Sequence, residues 1–216
     1  LKLPSIAYTY NEPGIFFEYT YDTAKLAHEK GIKNVYVSNG YSTSEAVDMI
    51  APYLDAINID LKSFNDEFYQ KICKAKLSEV LRGIEYYYGK KIWIELTTLI
   101  VPGKNDSAKE IKQIAKYIAG IDKNIPWHVS AFTPRYKMND IKETPDAKLQ
   151  EAYNIGKEAG LNYVYAGNTF NKELQSTYCP KCKSLLIERD WGYAKVGEFK
   201  KGVCNKCSYK LPGIWE

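Results

Sequence analysis

Two Cys-x-x-Cys pairs, Cys179-Pro-Lys-Cys182 and Cys204-Asn-Lys-Cys207, use four of the five cysteines in a chain of 216 residues and constrain its C-terminal part more than any other feature. A thiolate pair two residues apart grips one tetrahedral ion from a tight turn, and two such turns close a four-sulfur site. The 21 residues between Cys182 and Cys204 slightly exceed the roughly 15–20 of common spacings, which leaves room for a longish hairpin. Leu185, Leu186 and Ile187, followed by Glu188 and Arg189, read as a strand there, and Val203 leads into the second turn. The pattern predicts a zinc ribbon with Cys179, Cys182, Cys204 and Cys207 as ligands of a structural Zn²⁺. A disulfide pair is the weaker reading, because nothing else in the chain points to an oxidising compartment. A rubredoxin-like iron site uses the same ligands and stays open as an alternative.

The chain is long enough for one sizeable core, residues 1–172, with the ribbon as a tail over residues 173–216. It has no apolar run long enough to span a bilayer and no signal-peptide pattern, so a cytoplasmic address is expected. The net charge of +4 is unevenly placed: from Thr177 onward eight Lys and Arg face four Asp and Glu, leaving 22 of each sign before it. A basic flap of that size reads first as a solvated face, with an acidic protein or nucleic acid as the lesser alternative. The sequence begins at Leu1 and enters an apolar run, Ile6 to Tyr10, almost at once, which reads as a C-terminal fragment.

Short β-branched or aromatic runs then alternate with longer segments of helical period, the pattern of successive βα units. Strands are predicted at Ile6 to Tyr10, Asn34 to Ser38, Ala56 to Leu61, Ile92 to Val101, Trp127 to Phe132 and Tyr163 to Ala166. Helices are predicted at Gly14 to Lys30, Ser44 to Tyr53, Asp66 to Tyr88 with a break near Ala75, Ser107 to Ala119 and Pro145 to Ala159. Gly31, Gly89, Gly120 and Gly160 are expected to end four helices as left-handed caps. The expected architecture is α/β, a parallel sheet that is open or curled into part of a barrel.

Ligands of such sheets sit at the carboxyl ends of the strands, and here those ends are polar. They read Tyr10-Asn-Glu-Pro-Gly14, Ser38-Asn-Gly40, Asp60-Leu-Lys62, Pro102-Gly-Lys-Asn-Asp106 and Thr133-Pro-Arg135. Asn39-Gly40 or Asp106 alone reads as a turn or helix cap. Five together point to a site. Asp60 and Lys62 are the sharpest pair, since residues two apart share a strand face and offer a carboxylate and an ammonium to one ligand; a structural ion pair is the plainer alternative.

The runs Ile6-Ala-Tyr-Thr-Tyr-Asn-Glu-Pro13, Tyr36-Val-Ser-Asn-Gly40, Asn58-Ile-Asp-Leu-Lys62, Leu99-Ile-Val-Pro-Gly103 and Trp127-His-Val-Ser-Ala-Phe-Thr-Pro134, in that order, resemble the pyruvate formate-lyase activating enzyme branch of the radical SAM superfamily. With the ribbon and the closing Pro212-Gly-Ile-Trp215, the chain is similar more narrowly to the radical SAM enzyme of the AmmeMemoRadiSam system. The resemblance implies a partial (β/α)₆ barrel, truncated at its N-terminus, in which a 4Fe-4S cluster reductively cleaves S-adenosylmethionine to a 5′-deoxyadenosyl radical. It implies that Asn11 and Glu12 fall where the family's GGE motif receives the methionine amino group. Ser38 and Asn39 fall where a strand end approaches the ribose and carboxylate, and Asp60 and Lys62 match an Asp-x-Lys set against the same cofactor. Thr133 stands where the activating enzymes carry a histidine. A ferredoxin or flavodoxin as electron donor is implied too, while the substrate, protein or small molecule, is left open.

The superfamily's CxxxCxxC is absent from this sequence, so the cluster ligands are expected upstream of it and the chain alone is expected to be inactive. Cys73 is read as a buried packing residue on a helix. Asp60-Leu-Lys62 also has the look of a decarboxylase strand end of orotidylate type, but no phosphate-gripping glycine loop follows the last strand. The non-enzyme alternative is a zinc-ribbon binding module for RNA or a protein, with Tyr193, Tyr209 and Trp215 as stacking groups. His28 is read as a surface residue near a helix end, His128 as a core or rim residue, and Tyr86 to Tyr88 show no periodicity that separates packing from function.

Overall fold

Buried and open positions alternate along β1 (Ser5–Tyr8), β2 (Lys33–Ser38), β3 (Ala56–Asp60) and β4 (Trp93–Ile100), as strands require. The structure is a computed structural model and describes residues 3–190 and 192–215, so Leu1 lies outside it. The chain divides into two compact units, Leu1–Thr97 and Thr98–Glu216. Strands β1 to β4 pair in sequence order and run parallel to one another, as do β5 and β6 in the second unit.

In the first unit α1 (Phe17–Glu29), α2 (Ser44–Ile50) and α4 (Leu77–Gly89) join these strands. Buried Asn34 stitches the base together: its Oδ1 accepts from the Tyr8 hydroxyl, and its amide donates to the carbonyls of Ala24 and Tyr53, each at 2.9 Å. Helix α4 buries Val80, Gly83, Ile84 and Tyr87, the i, i+3, i+4, i+7 stripe of an amphipathic helix. The break expected near Ala75 is there. A three-residue helix α3 (Asp66–Phe68) runs into a π-helical turn, Tyr69–Cys73, which Lys74 ends in the left-handed conformation at φ 57°.

The second unit holds α5 (Ala108–Ile121), β5 (Trp127–Ala131), α6 (Asp146–Glu158) and β6 (Val164–Gly167). Trp127 is fully buried and donates from Nε1 to Thr98 Oγ1 at 3.0 Å. Gly156 of α6 lies so close that a β-carbon there would meet the Trp127 ring at 3.0 Å, which is why the helix carries no side chain at that point. After α7 (Lys172–Gln175), the strands β7 (Thr177–Tyr178), β8 (Leu185–Asp190) and β9 (Tyr193–Val196) form one small antiparallel sheet. A second pairs β10 (Phe199–Lys200) with β11 (Val203–Cys204).

Several boundaries differ from the sequence expectation. The first strand ends at Tyr8, and α1 starts at Phe17 rather than Gly14. The later helix start has a local cause: Ile15 N–H donates to the Glu12 carbonyl and Gly14 N–H to Glu12 Oε1, so residues 12–15 form a turn. Gly31 and Gly160 are left-handed at φ 70° and 94°, whereas Gly89 and Gly120 lie inside their helices and Lys91, at φ 61°, takes the left-handed place after α4.

Candidate functional site

Glu12 organises the carboxyl ends of β1 and β2. Its Oε1 accepts from Ser38 Oγ and its Oε2 from the Asn39 backbone N–H, both at 2.7 Å. Asn39 in turn closes its own turn by accepting from Tyr41 N–H at 2.8 Å. At the end of β3, Lys62 Nζ lies 2.7 Å from Asp60 Oδ2, and the Lys62 backbone N–H donates to the Tyr69 hydroxyl at 3.0 Å. The two charged side chains stay 40% and 37% exposed, so the pair is solvent-screened and open to a ligand rather than locked in the core.

These groups line a cavity of about 790 Å³ within the first unit. Glu12, Ser38, Asn39, Asp60 and Lys62 all face it; Ile15, Phe17, Ala46, Ile72 and Val80 supply apolar wall, and Tyr36, Tyr41, Tyr69 and Tyr87 aromatic surface. Burial pushes the Tyr36 phenol up to about 12 and raises Tyr69 and Tyr87 as well, so all three remain neutral hydroxyls. Chemically the cavity suits a ligand that joins an ammonium and a carboxylate to a flat, partly apolar body.

Not every expected residue converges here. Asn11 is exposed and is not among the residues lining the cavity. Thr133 belongs to the second unit, where its exposed hydroxyl lies 3.4 Å from Glu143 Oε1. Asn105 and Asp106 serve their own turn: Asn105 Oδ1 accepts from Val101 N–H at 2.7 Å and Asp106 Oδ1 from Gly103 N–H at 2.9 Å. Cys73 is half-buried and lines the cavity, with its thiol raised by burial, so packing is not its whole environment.

The four remaining cysteines come together at the other end of the sequence. Their sulfurs all lie within 4.8 Å of one another, with Cys179 to Cys207 at 3.5 Å and Cys182 to Cys204 at 3.7 Å. Sulfurs at about 2.3 Å from a tetrahedral ion stand about 3.8 Å apart, so the group fits one metal ion, while a disulfide needs about 2.05 Å. The two turns are equivalent: Lys183 N–H donates to the Cys179 carbonyl and Ser208 N–H to the Cys204 carbonyl, each at 2.9 Å. Lys183 and Ser208 are both left-handed, at φ 60° and 58°.

A family profile described as the radical SAM superfamily matches residues 2–118, which contain the whole cavity lining. The chain belongs to the radical SAM superfamily. An uncharacterized protein of Methanocaldococcus jannaschii is 42% identical over 211 residues, 96% of this chain and 62% of that protein. The (2S)-3-sulfopropanediol dehydratase activating enzyme of Klebsiella oxytoca is 25% identical over 107 residues, 50% of this chain and 34% of the enzyme. This radical SAM chain therefore spans less than two thirds of either relative. A domain of pyruvate-formate lyase-activating enzyme from Bacteroides vulgatus superposes with a TM-score of 0.65 at 20% identity, over 76% of this chain and 99% of that domain, and so shares its fold.

Sequence reasoning missed one wall of the cavity in this radical SAM chain. Ser42, Tyr69 and Tyr87 line it, and Tyr87 donates to Ser42 Oγ at 3.2 Å. The strand ends announce themselves by polarity; Tyr69 and Tyr87 sit on helical segments, where an inward tyrosine looks like core. Among the three adjacent tyrosines, the structure buries Tyr87, sets the Tyr86 hydroxyl 2.9 Å from Asp48 Oδ1 and leaves Tyr88 exposed. His28 is exposed beside Tyr53, and His128 stacks on Tyr165 at 5.3 Å. No helix among the described residues is long and apolar enough to cross a membrane.

Proposed function

We propose that the cavity of the first unit is the S-adenosylmethionine site of a radical SAM enzyme of the activating-enzyme type, of the kind that serves the AmmeMemoRadiSam system. The observation that carries this reading is the convergence of Glu12, Ser38, Asn39, Asp60 and Lys62 on one cavity inside the segment the superfamily profile matches. Glu12 keeps acceptor capacity beyond its bonds to Ser38 and Asn39 and suits the methionine ammonium. Lys62 carries a three-donor ammonium that suits a carboxylate, while Ser38 and Asn39 suit ribose hydroxyls. Tyr36 and Tyr87 hold neutral, apolar faces toward the ligand body and exclude water from it.

The superfamily's name implies S-adenosylmethionine and its chemistry an iron-sulfur cluster, which when bound supplies the electron that cleaves the cofactor to a 5′-deoxyadenosyl radical. The cysteines of this chain do not fit that cluster: Cys73 is solitary in the first unit, and the other four converge on one another. The binding half of the site is therefore what this chain contributes. A ferredoxin or flavodoxin as electron donor, a substrate that is a protein or a small molecule, and a cytoplasmic setting belong to the same proposal. So does a partial (β/α)₆ barrel over residues 1–172, with residues 173–216 as a zinc ribbon in which Cys179, Cys182, Cys204 and Cys207 hold Zn²⁺. Titration of the chain with S-adenosylmethionine tests the reading: saturable binding that Lys62→Ala weakens supports it, and binding indifferent to that substitution removes it.

A further inference from the structure

The Tyr163 hydroxyl is the one buried side-chain polar atom among the described residues that finds no hydrogen-bond partner. Tyr163 is only 6% exposed and belongs to the apolar cluster that also contains Cys179, Leu186, Cys204 and Leu211. Burying a hydroxyl unbonded is costly enough that native chains rarely keep one without a use. Its polar surroundings narrow the choice of partner: burial first and then the neighbouring Tyr209, Tyr165 and Cys179 groups raise its phenol, with Tyr209 near enough to act as an acceptor although the pair misses full hydrogen-bond geometry. A thiol is a weak acceptor; a thiolate on a metal carries negative charge and accepts well.

We propose that Tyr163 is a positioning residue of the metal site, donating its O–H to the Cys179 sulfur once that sulfur is a metal-bound thiolate. The inference rests on the four-sulfur metal reading and adds to it a link between the ion and the sheet. Tyr163 immediately precedes β6 and its carbonyl accepts from Trp127 N–H at 3.0 Å, so the same residue is anchored to β5 and packs in the apolar cluster that holds Cys179 and Cys204. Tyr165, two residues on, donates to or accepts from Thr177 Oγ1 at 3.1 Å and lies under the Arg189 guanidinium, a second tie between β6 and the tail. Metal occupancy is thereby coupled to how firmly the cysteine hairpins seat on the last long strand.

The sign of the coupling makes it testable. In the metal-free chain Tyr163→Phe removes an unbonded buried hydroxyl, so it leaves stability unchanged or raised. In the metal-loaded chain the same substitution removes a donor to a ligand, so affinity falls about 10–100-fold. The measurement is Co²⁺ and Zn²⁺ affinity by chelator competition, with the sulfur-to-Co²⁺ charge-transfer band as spectroscopic readout, for wild type, Tyr163→Phe and Tyr209→Phe. The expected result is weaker binding and a shifted band for Tyr163→Phe only. Unchanged affinity and band for Tyr163→Phe, or a loss on Tyr209→Phe alone, overturns the hydrogen bond while leaving the metal site intact; a wild-type chain that binds no Co²⁺ overturns the metal site itself. Should Tyr163→Phe fail to fold, a crystal structure of the Zn²⁺-loaded wild type decides, with Tyr163 Oη either against Cys179 Sγ as expected or turned from every sulfur.

Discussion

Gly83 on α4 lies directly against Gly40 at the end of β2: a β-carbon built on Gly83 would stand 2.2 Å from the Gly40 carbonyl oxygen. No real β-carbon tolerates that distance, so the helix and the Ser38-Asn39-Gly40 turn are seated on each other only because residue 83 has no side chain. The contact matters beyond packing because Ser38 and Asn39 are the groups that hold Glu12. Gly83→Ala is expected to cost about 1–3 kcal/mol, the usual penalty of overpacking, and to weaken ligand binding in the cavity as well. Urea unfolding with a parallel S-adenosylmethionine titration checks both; a variant as stable and as tight-binding as wild type contradicts the seating.

Glu12→Gln keeps the shape of the side chain but replaces one acceptor oxygen with a donor. Ser38 Oγ, Asn39 N–H and Gly14 N–H all approach that group, at 2.7, 2.7 and 3.3 Å, so at least one loses its acceptor. The expected loss is about 1–3 kcal/mol of stability, reduced where water reaches the freed donor. Faster amide exchange at Asn39 or at Gly14 in the variant is the specific sign; unchanged exchange at both removes Glu12 from this role.

Metal removal should act on the tail. Cys204→Ser is expected to lower the bound Zn²⁺ well below one per chain and to expose the amides of Cys204 and Ser208, which close the second turn. Because thiols must lose protons to bind, affinity should fall as pH falls, and added acid or chelator should mimic the substitution. X-ray absorption of the wild type should show four sulfurs at about 2.3 Å. Elemental analysis with no stoichiometric metal in freshly purified, reduced protein would falsify the site.

Counting ligands gives a prediction of failure. A cluster with one open iron needs three thiolates, and here Cys73 is the single cysteine of the first unit while four cysteines of the second converge on one another. Anaerobic treatment of this chain with iron and sulfide is expected to give no stable four-iron cluster and no 5′-deoxyadenosine under strong reductant. Formation of both would reassign the C-terminal cysteines.

The strands and the two metal turns were legible in the sequence because each depends on local pattern: side-chain alternation for β2 to β6, and a fixed two-residue spacing for the cysteines. Glu12, Ser38, Asn39, Asp60 and Lys62 stood out as candidates for a related reason, since polar residues gathered at the carboxyl ends of apolar strands lie where such sheets bind ligands. What local pattern cannot express is which residues approach from far along the chain. Tyr69, Tyr87 and the Gly40–Gly83 contact are of that kind. Asn11 differs: the resemblance set it beside Glu12 at the methionine amino group, while its exposed side chain is not among those lining the cavity. Gly89 and Gly120 likewise read as caps, yet Gly89 is the last residue of α4 and Gly120 the last but one of α5, with Lys90 and Asp122 bonding back to the helix carbonyls.

The central claim is that Glu12 and Lys62 recognise the two charged groups of one ligand, and calorimetric titration of this chain with S-adenosylmethionine tests it most directly. The account predicts saturable binding that Lys62→Ala and Glu12→Gln each weaken by about tenfold to a hundredfold, the equivalent of ~1.5–3 kcal/mol for a hydrogen bond to a charged group. For Lys62→Ala, whose partner Asp60 is more than a third exposed, the unfolding midpoint should move little. Equal affinity in wild type and both variants, or no saturable heat at all, would contradict it.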